Sequence, residues 1–189
     1  TFNEAINGLM SSDHINLPNI GFLPGGSGNA FMHDLQATNP DVAIQKILTG
    51  KIKKIDILQL EFNDKIEYAI NIVGWGMVTD ILILSEKIRL LGPMRYSLAT
   101  LFYIFNIKKR KIKCIIDNNP IDNQDYLFVL VANTIHTGKG MKAAPKASID
   151  DGLVDIILLK ATISKFKLFK LFLKIFSGEH IHSKYIKYL

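Results

Sequence analysis

The order of apolar and polar positions divides the chain into a short helical start, a glycine-interrupted strand and helix, and a longer stretch dominated by strand patterns. Residues 1–10 have the order of a capped helix. Thr1 stands at the N-cap and Glu4 three residues later, and Ile6, Leu9 and Met10 form an apolar stripe. Ile20-Gly21-Phe22-Leu23 predicts a short buried strand that runs into Pro24-Gly25-Gly26-Ser27-Gly28-Asn29, with a short helix from Ala30. Residues 41–48 have helical spacing and are closed by Gly50.

The period changes near residue 51. Residues 52–60 and 66–73 predict two strands joined by the turn Asn63-Asp64. A helical interlude over about 77–107 is broken at Gly92-Pro93. Strands follow at 111–117, 126–133 and 154–159, and 164–176 is helical. The expected fold is therefore α/β plus β. Residues 1–50 would be the end of an α/β domain, and residues 51–189 a mostly antiparallel β domain with helical insertions.

Composition narrows the class without naming it. With 48% apolar and 21% charged residues the chain is globular rather than disordered. The single cysteine, Cys114, excludes an internal disulfide and a thiolate cluster, which fits a reducing compartment. The longest apolar stretch, 98–107, falls short of the roughly 20 residues that cross a bilayer. The start lacks a signal-peptide layout. Thr1 is not an initiator methionine, so the chain reads as a segment of a longer protein.

The net charge of +6 is unevenly placed: residues 1–138 carry 13 Lys/Arg and 13 Asp/Glu, whereas 139–189 carry 10 lysines against 4 acidic residues. Such asymmetry suggests an anionic partner, but on charge alone a lysine-rich solvated face is the better reading.

Glycines between a strand and a helix let backbone amides approach a phosphate closely. The loop is not a Walker A motif, because no Gly-Lys-Ser/Thr follows, nor a Rossmann fingerprint, because the third glycine is missing. By glycine content alone, a tight turn explains it as well as a phosphate site. The surrounding residues add a resemblance. Residues Pro24-Gly25-Gly26-Ser27-Gly28-Asn29-Ala30 resemble the Pro-x-Gly-Ser/Thr-Gly-Asn loop of the diacylglycerol kinase/sphingosine kinase superfamily of lipid kinases. Thr1-Phe2-Asn3-Glu4-Ala5-Ile6-Asn7-Gly8 is similar to the tail of that family's Gly-Gly-Asp-Gly-Thr motif, whose first part would lie upstream. Residues 85–96, with Ser85-Glu86, Arg89, Leu91-Gly92 and Arg95, resemble a stretch of the sphingosine/ceramide kinase branch. Ala143-Ala144-Pro145 and Asp150-Asp151-Gly152-Leu153 match the family in order and rough spacing.

The resemblance implies an ATP- and magnesium-dependent phosphotransferase acting on a lipid hydroxyl. It also implies residues 1–50 as the C-terminal part of a Rossmann-like α/β nucleotide-binding domain, and residues 51–189 as an antiparallel β-sandwich-type, lipid-binding domain, incomplete at its C-terminus. Thr1, Gly26, Ser27, Gly28 and Asn29 would meet phosphate or ribose. Arg89 and Arg95 would hold phosphate oxygens, which suit guanidinium forks. Glu4 and Asp56 would stand near the nucleotide, although a capping role for Glu4 and a strand carboxylate beside Lys53 and Lys54 are equally good readings. Ser148, Asp151 and Leu153 match a magnesium site of bacterial lipid kinases made from one carboxylate and two main-chain carbonyls; unaided, Asp150-Asp151-Gly152 reads as a turn. The family's catalytic acid falls outside the chain, so no catalytic residue is named.

The position where sphingosine kinases carry an aspartate for the substrate amine is Leu82, while Asp80 matches a neighbouring family aspartate. That departure favours diacylglycerol or another neutral lipid alcohol. Residues 164–176 place Lys167, Lys170 and Lys174 on one face of a helix rich in Phe and Leu, a pattern of an interfacial helix on an anionic membrane and also of a core helix with one solvated stripe. The expected protein is cytoplasmic and peripherally membrane-associated, with ATP and a membrane lipid as partners and no nucleic acid. An NAD kinase-like phosphotransferase and a degenerate, non-catalytic lipid-binding module are the alternatives.

Overall fold

The computed structural model describes every residue except 1, 13–16, 27, 93, 122–123 and 139. In chain order its elements begin with α1 (Phe2–Met10), α2 (Ala30–Asp34), α3 (Pro40–Leu48), β1 (Leu58–Phe62), β2 (Lys65–Ala69) and β3 (Ile72–Gly76). Next come α4 (Met77–Lys87), a 3-10 turn (Arg89–Leu91), α5 (Met94–Phe105), β4 (Arg110–Lys111), β5 (Ile115–Ile116), β6 (Asn119–Pro120) and β7 (Asp125–Ala132). The chain ends with β8 (His136–Thr137), β9 (Met141–Lys142), β10 (Asp155–Lys160), α6 (Lys165–Leu173), a second 3-10 turn (Glu179–His182) and β11 (Ile186–Tyr188). Two compact units result: residues 1–73 with 132–154, and residues 74–131 with 155–189. Residues 51–73 thus share a unit with 1–50, so this grouping and a division near residue 50 cut the chain in different places.

In the first unit, local chemistry sets most boundaries. Asn39 caps α3 by accepting from Asp41 N at 2.8 Å, Pro40 opens the helix, and Gly50 lies beyond its end at φ +66°. Asn63, at φ +51°, turns the β1–β2 hairpin, which pairs antiparallel from Leu58↔Ala69 to Phe62↔Lys65. Asn7 ties α1 to β2: its Nδ2 donates to Tyr68 O at 2.7 Å and its Oδ1 accepts from Tyr68 N at 2.8 Å. Ile6, Phe31 and Ile70 form the core, with Phe2, Phe22, Ile55 and Ile57 packed against it.

The strand expected at 20–23 is absent. Those residues are irregular, because no described strand lies beside them to supply ladder bonds, and Phe22 packs its ring against Phe2 and Phe31 instead. The expected Rossmann-like sheet is therefore not seen among the described residues of 1–50, which contribute α1, α2 and α3.

Most of a five-stranded sheet of order β11-β10-β7-β3, with β4 also on β7, lies in the second unit; the β4–β7 and β10–β11 pairs are antiparallel. The two central strands are buried almost without alternation, as strands covered on both faces are, and Tyr126, Val129, Ile156 and Leu158 make their core. The strand expected over 111–117 is split. Arg110–Lys111 pairs with β7, and a separate β5–β6 hairpin turns at Asp117-Asn118, both at positive φ. Only glycine fits where β3 passes into α4, since a Cβ on Gly76 would lie 2.5 Å from Leu127 O. Helix α4 packs on α5, and α5 on α6.

Candidate functional site

The glycine loop lies in the first unit, between Phe22 and Phe31, both rooted in the core cluster. Asn29 precedes α2 in the left-handed conformation (φ 42°, ψ 39°) and does not cap it. Its Oδ1 instead accepts from Gly26 N at 2.9 Å, and a Cβ on Gly26 would stand 3.2 Å from that oxygen. Asn29 thus folds the loop on itself, and the Gly26 amide expected to face phosphate is bonded within the protein. Gly26 is exposed, Gly28 and Asn29 half-buried. Ser27 and Thr1, including the expected Thr1 cap, lie outside the described residues. Glu4 is exposed in the first turn of α1.

Asp56 precedes β1 by two residues instead of lying in a strand over 52–60, because its polar groups serve other partners. Its N donates to Ile149 O at 2.7 Å, its Oδ2 accepts from Gly152 N at 2.7 Å, and its carbonyl accepts from the buried Asn133 Nδ2 at 2.9 Å. These bonds seat the turn carrying Ser148, Asp151 and Leu153 directly on Asp56.

Within that turn, Ser148 Oγ donates to Asp150 Oδ1 at 2.9 Å, and Lys53 Nζ lies 3.0 Å from Asp150 Oδ2. The Lys53 ammonium, then the Ser148 hydroxyl, hold the Asp150 carboxyl below its ordinary range. Asp151 Oδ1 accepts from Leu153 N at 3.0 Å, and among the described residues no Lys or Arg pairs with Asp151. The offered donors are all oxygen: the Asp151 carboxylate and the Ser148 and Leu153 carbonyls, on an exposed turn. That set fits a hard cation that keeps several waters. Among the described residues no group of three or more His, Cys, Asp or Glu side chains could hold a metal, so a cation here would rely on carbonyls and water.

Arg89 and Arg95 belong to the second unit. Arg95, with its side chain 17% exposed, donates to Tyr96 OH at 2.7 Å, lies over the Tyr96 ring and stands 3.1 Å from Glu86 Oε1. Arg89 opens the 3-10 turn and is exposed. Asp80 is held by both carboxylate oxygens on Arg110, at 2.9 and 2.7 Å. Leu82 is 55% exposed. The other described candidates, Glu4, Gly26, Gly28, Asn29, Asp56, Ser148, Asp151 and Leu153, all belong to the first unit.

One cluster escaped the sequence reading. Asp34, at the end of α2 and with its side chain 3% exposed, accepts from Ile135 N at 2.7 Å and His136 N at 3.2 Å, and lies 3.1 Å from His136 Nδ1. The His33 and His136 rings stand 5.2 Å apart. A carboxylate set among Phe31, Met32 and Leu35 was the available signal, since a buried Asp requires partners.

Comparison with known proteins bears on the whole chain. Residues 1–60 match the diacylglycerol kinase catalytic domain, and residues 71–189 match the YegS C-terminal NAD kinase beta sandwich-like domain. The chain is 30% identical over its full length to a diacylglycerol kinase of Bacillus subtilis, covering 61% of that protein, and 26% identical over 94% of its length to sphingosine kinase 1 of Mus musculus, covering 59% of it. It spans about three fifths of the length of these two relatives. All of it superposes on a crystal structure of a diacylglycerol kinase from Bacillus anthracis with TM-score 0.70 at 23% identity, covering 60% of that chain, a likeness of fold. Antiparallel sheets with helices, the glycine loop and both matched domains occur together, and the chain belongs to the diacylglycerol kinase/sphingosine kinase-like lipid kinase family.

Proposed function

We propose that the protein transfers the γ-phosphate of ATP to a lipid hydroxyl, that of diacylglycerol or of a sphingoid or other lipid alcohol. The observation that carries this reading is one apolar cluster of the first unit. Its members Phe2, Ile6, Phe22, Phe31, Ile55 and Ile57 flank Glu4, the glycine loop and Asp56, so three separate family-matched segments share one support. Residues 1–50 would then end the nucleotide-binding domain, and 51–189 would form the lipid-binding domain.

In the transfer, the lipid hydroxyl oxygen bonds to the γ-phosphorus, the bond to the β,γ-bridging oxygen breaks, and ADP leaves; the hydroxyl proton passes to a base that this chain does not identify. Gly28 and Asn29, with Ser27, would orient the phosphates. Ser148, Asp151 and Leu153 would hold magnesium, which when bound neutralises phosphate charge. Asp56 would fix that turn through Gly152 N. Leucine at position 82 offers no partner for a sphingoid amine and favours a neutral lipid. The enzyme would work at the cytoplasmic face of a membrane as a peripheral protein.

The test is phosphate transfer by the full-length protein to diacylglycerol in mixed micelles. Asn29→Ala, which removes the bond that folds the loop on itself together with the contact proposed for Asn29, is expected to raise the KM for ATP about tenfold, the effect of one lost hydrogen bond to a charged group, with a smaller change in kcat. Transfer to NAD without lipid turnover would overturn the lipid assignment. Binding to vesicles with no transfer to any acceptor would favour a non-catalytic module.

A further inference from the structure

Helix α6 carries three stripes. Leu168 and Leu171 are buried. Lys167, Lys170 and Lys174 run along one flank at intervals of three and four residues, and all are exposed. Phe166 (67% exposed), Phe169 and Leu173 (58% exposed) run along the other at the same intervals. A helix that serves only as core has no reason to present a second apolar face to water.

The lysine flank forms one wall of a groove of about 260 Å³ whose other wall is the segment from Glu179 to Tyr185. That is smaller than the roughly 300–1,000 Å³ of pockets enclosing drug-sized ligands. Carboxylates leave its cations largely unanswered. Lys167 donates to Tyr185 OH at 3.1 Å, Lys170 rests over the Phe166 ring, and Lys174 is 3.6 Å from Glu179, the one acid among the described lining residues. The Lys167 ammonium also holds the Tyr185 phenol below its ordinary range, as expected in a positive local field. Like charges three and four residues apart on a helix repel, and an anion between them would relieve that repulsion.

We propose that α6 docks on an anionic phospholipid surface, with a headgroup phosphate in the Lys167–Lys170–Lys174 groove and Phe166 and Leu173 in the acyl boundary. Apolar and cationic stripes side by side on one helix are what such a surface recognises. The inference draws on the lipid-kinase reading only in that such an enzyme must reach a bilayer.

The test uses full-length protein without ATP, sedimented with vesicles of phosphatidylcholine alone or with about a third phosphatidylglycerol. Binding is expected on the anionic vesicles and should weaken with salt. Lys167→Gln, Lys170→Gln and Lys174→Gln together should weaken it about a hundredfold, at about fivefold per lysine. Phe166→Ser with Leu173→Ser should weaken it severalfold without removing the salt dependence. The equal-charge control Lys108→Gln, Lys109→Gln and Lys111→Gln should change it little.

The proposal is overturned if the control loses as much as the α6 variant, if the α6 variant loses nothing, or if phosphatidylcholine alone binds as well. Release from vesicles by millimolar inorganic phosphate would assign the groove to free phosphate and overturn the docking. Micellar kinase activity is read separately, so either result stands without the other.

Discussion

The two compact units hold themselves together by different means. In the first, segments far apart in the chain are fastened by side chains bonded to backbone: Asp34 to Ile135 and His136, Asn133 to Asp56 and Ile70, Asn7 to Tyr68. In the second, β7 and β10 bury an apolar core on a continuous sheet. Polar ties are directional and fix loops in place, but each one broken leaves an orphaned group inside. An apolar sheet core is less specific and tolerates change by degrees. The unit carrying the glycine loop and the Asp150 turn is therefore the one whose geometry depends on single residues. The sheet unit supports itself and can present helices with apolar and cationic surface outward.

The largest effect that would sharpen this contrast is Asp34→Ala. It leaves the Ile135 and His136 amides without an acceptor beside a nearly fully buried position. Two orphaned donors put the loss at about 4 kcal/mol. Asp34→Asn, which keeps an acceptor oxygen, should cost about half of that. Denaturant unfolding gives the totals, and amide exchange should show the loss concentrated in residues 132–154. An effect below about 1 kcal/mol for Asp34→Ala would mean that the first unit does not depend on its polar ties.

Leu158→Ala is the counterpart in the sheet. Leu158 is fully buried, and truncation should cost about 3 kcal/mol through lost transfer energy and a cavity. Exchange should quicken in β7 and β10 while the β1–β2 hairpin keeps its protection. Equal quickening in both would show one cooperative unit and break the comparison. Asn7→Ala is smaller, about 2 kcal/mol for two half-buried bonds to Tyr68. It should loosen α1 from β2 without touching the sheet core, which exchange at Ile6 and Tyr68 would report.

What the sequence made legible follows the same line. Helix α3 could be read because Asn39, Pro40 and Gly50 act within a few residues, and the β1–β2 hairpin because Asn63 sits at its turn. The central strands could be read because burial on both faces leaves a run of apolar residues. Residues 20–23 misled because an apolar run signals burial, whereas a strand also needs a neighbour. The position of Asp56 and the Asp34–His136 contact were hidden because their partners lie 96 and 102 residues away, beyond any local period. The glycine loop was readable as a motif. The bond that closes it, Gly26 N to Asn29 Oδ1, depends on a left-handed Asn29 that the motif alone does not disclose.

The smallest predicted effect probes the turn seated on Asp56. The Lys53 ammonium, more than the Ser148 hydroxyl, keeps the Asp150 carboxyl below its ordinary range. A carboxyl depressed in the folded state adds stability above its unfolded pKa, and that stability is lost as pH falls through the folded value. Asp150 is exposed, so solvent screens the pair and its effect on stability should be slight. The informative readout is the titration itself. Lys53→Gln should move the Asp150 carboxyl resonance back up toward an ordinary carboxylate midpoint, and Ser148→Ala should do so by a smaller step. If Ser148→Ala moved it further than Lys53→Gln, the turn would be organised by its own hydroxyl rather than by the lysine. The ion pair would then be incidental to the position of Asp151, whereas the Asp56 bond to Gly152 would remain the tie that fixes it.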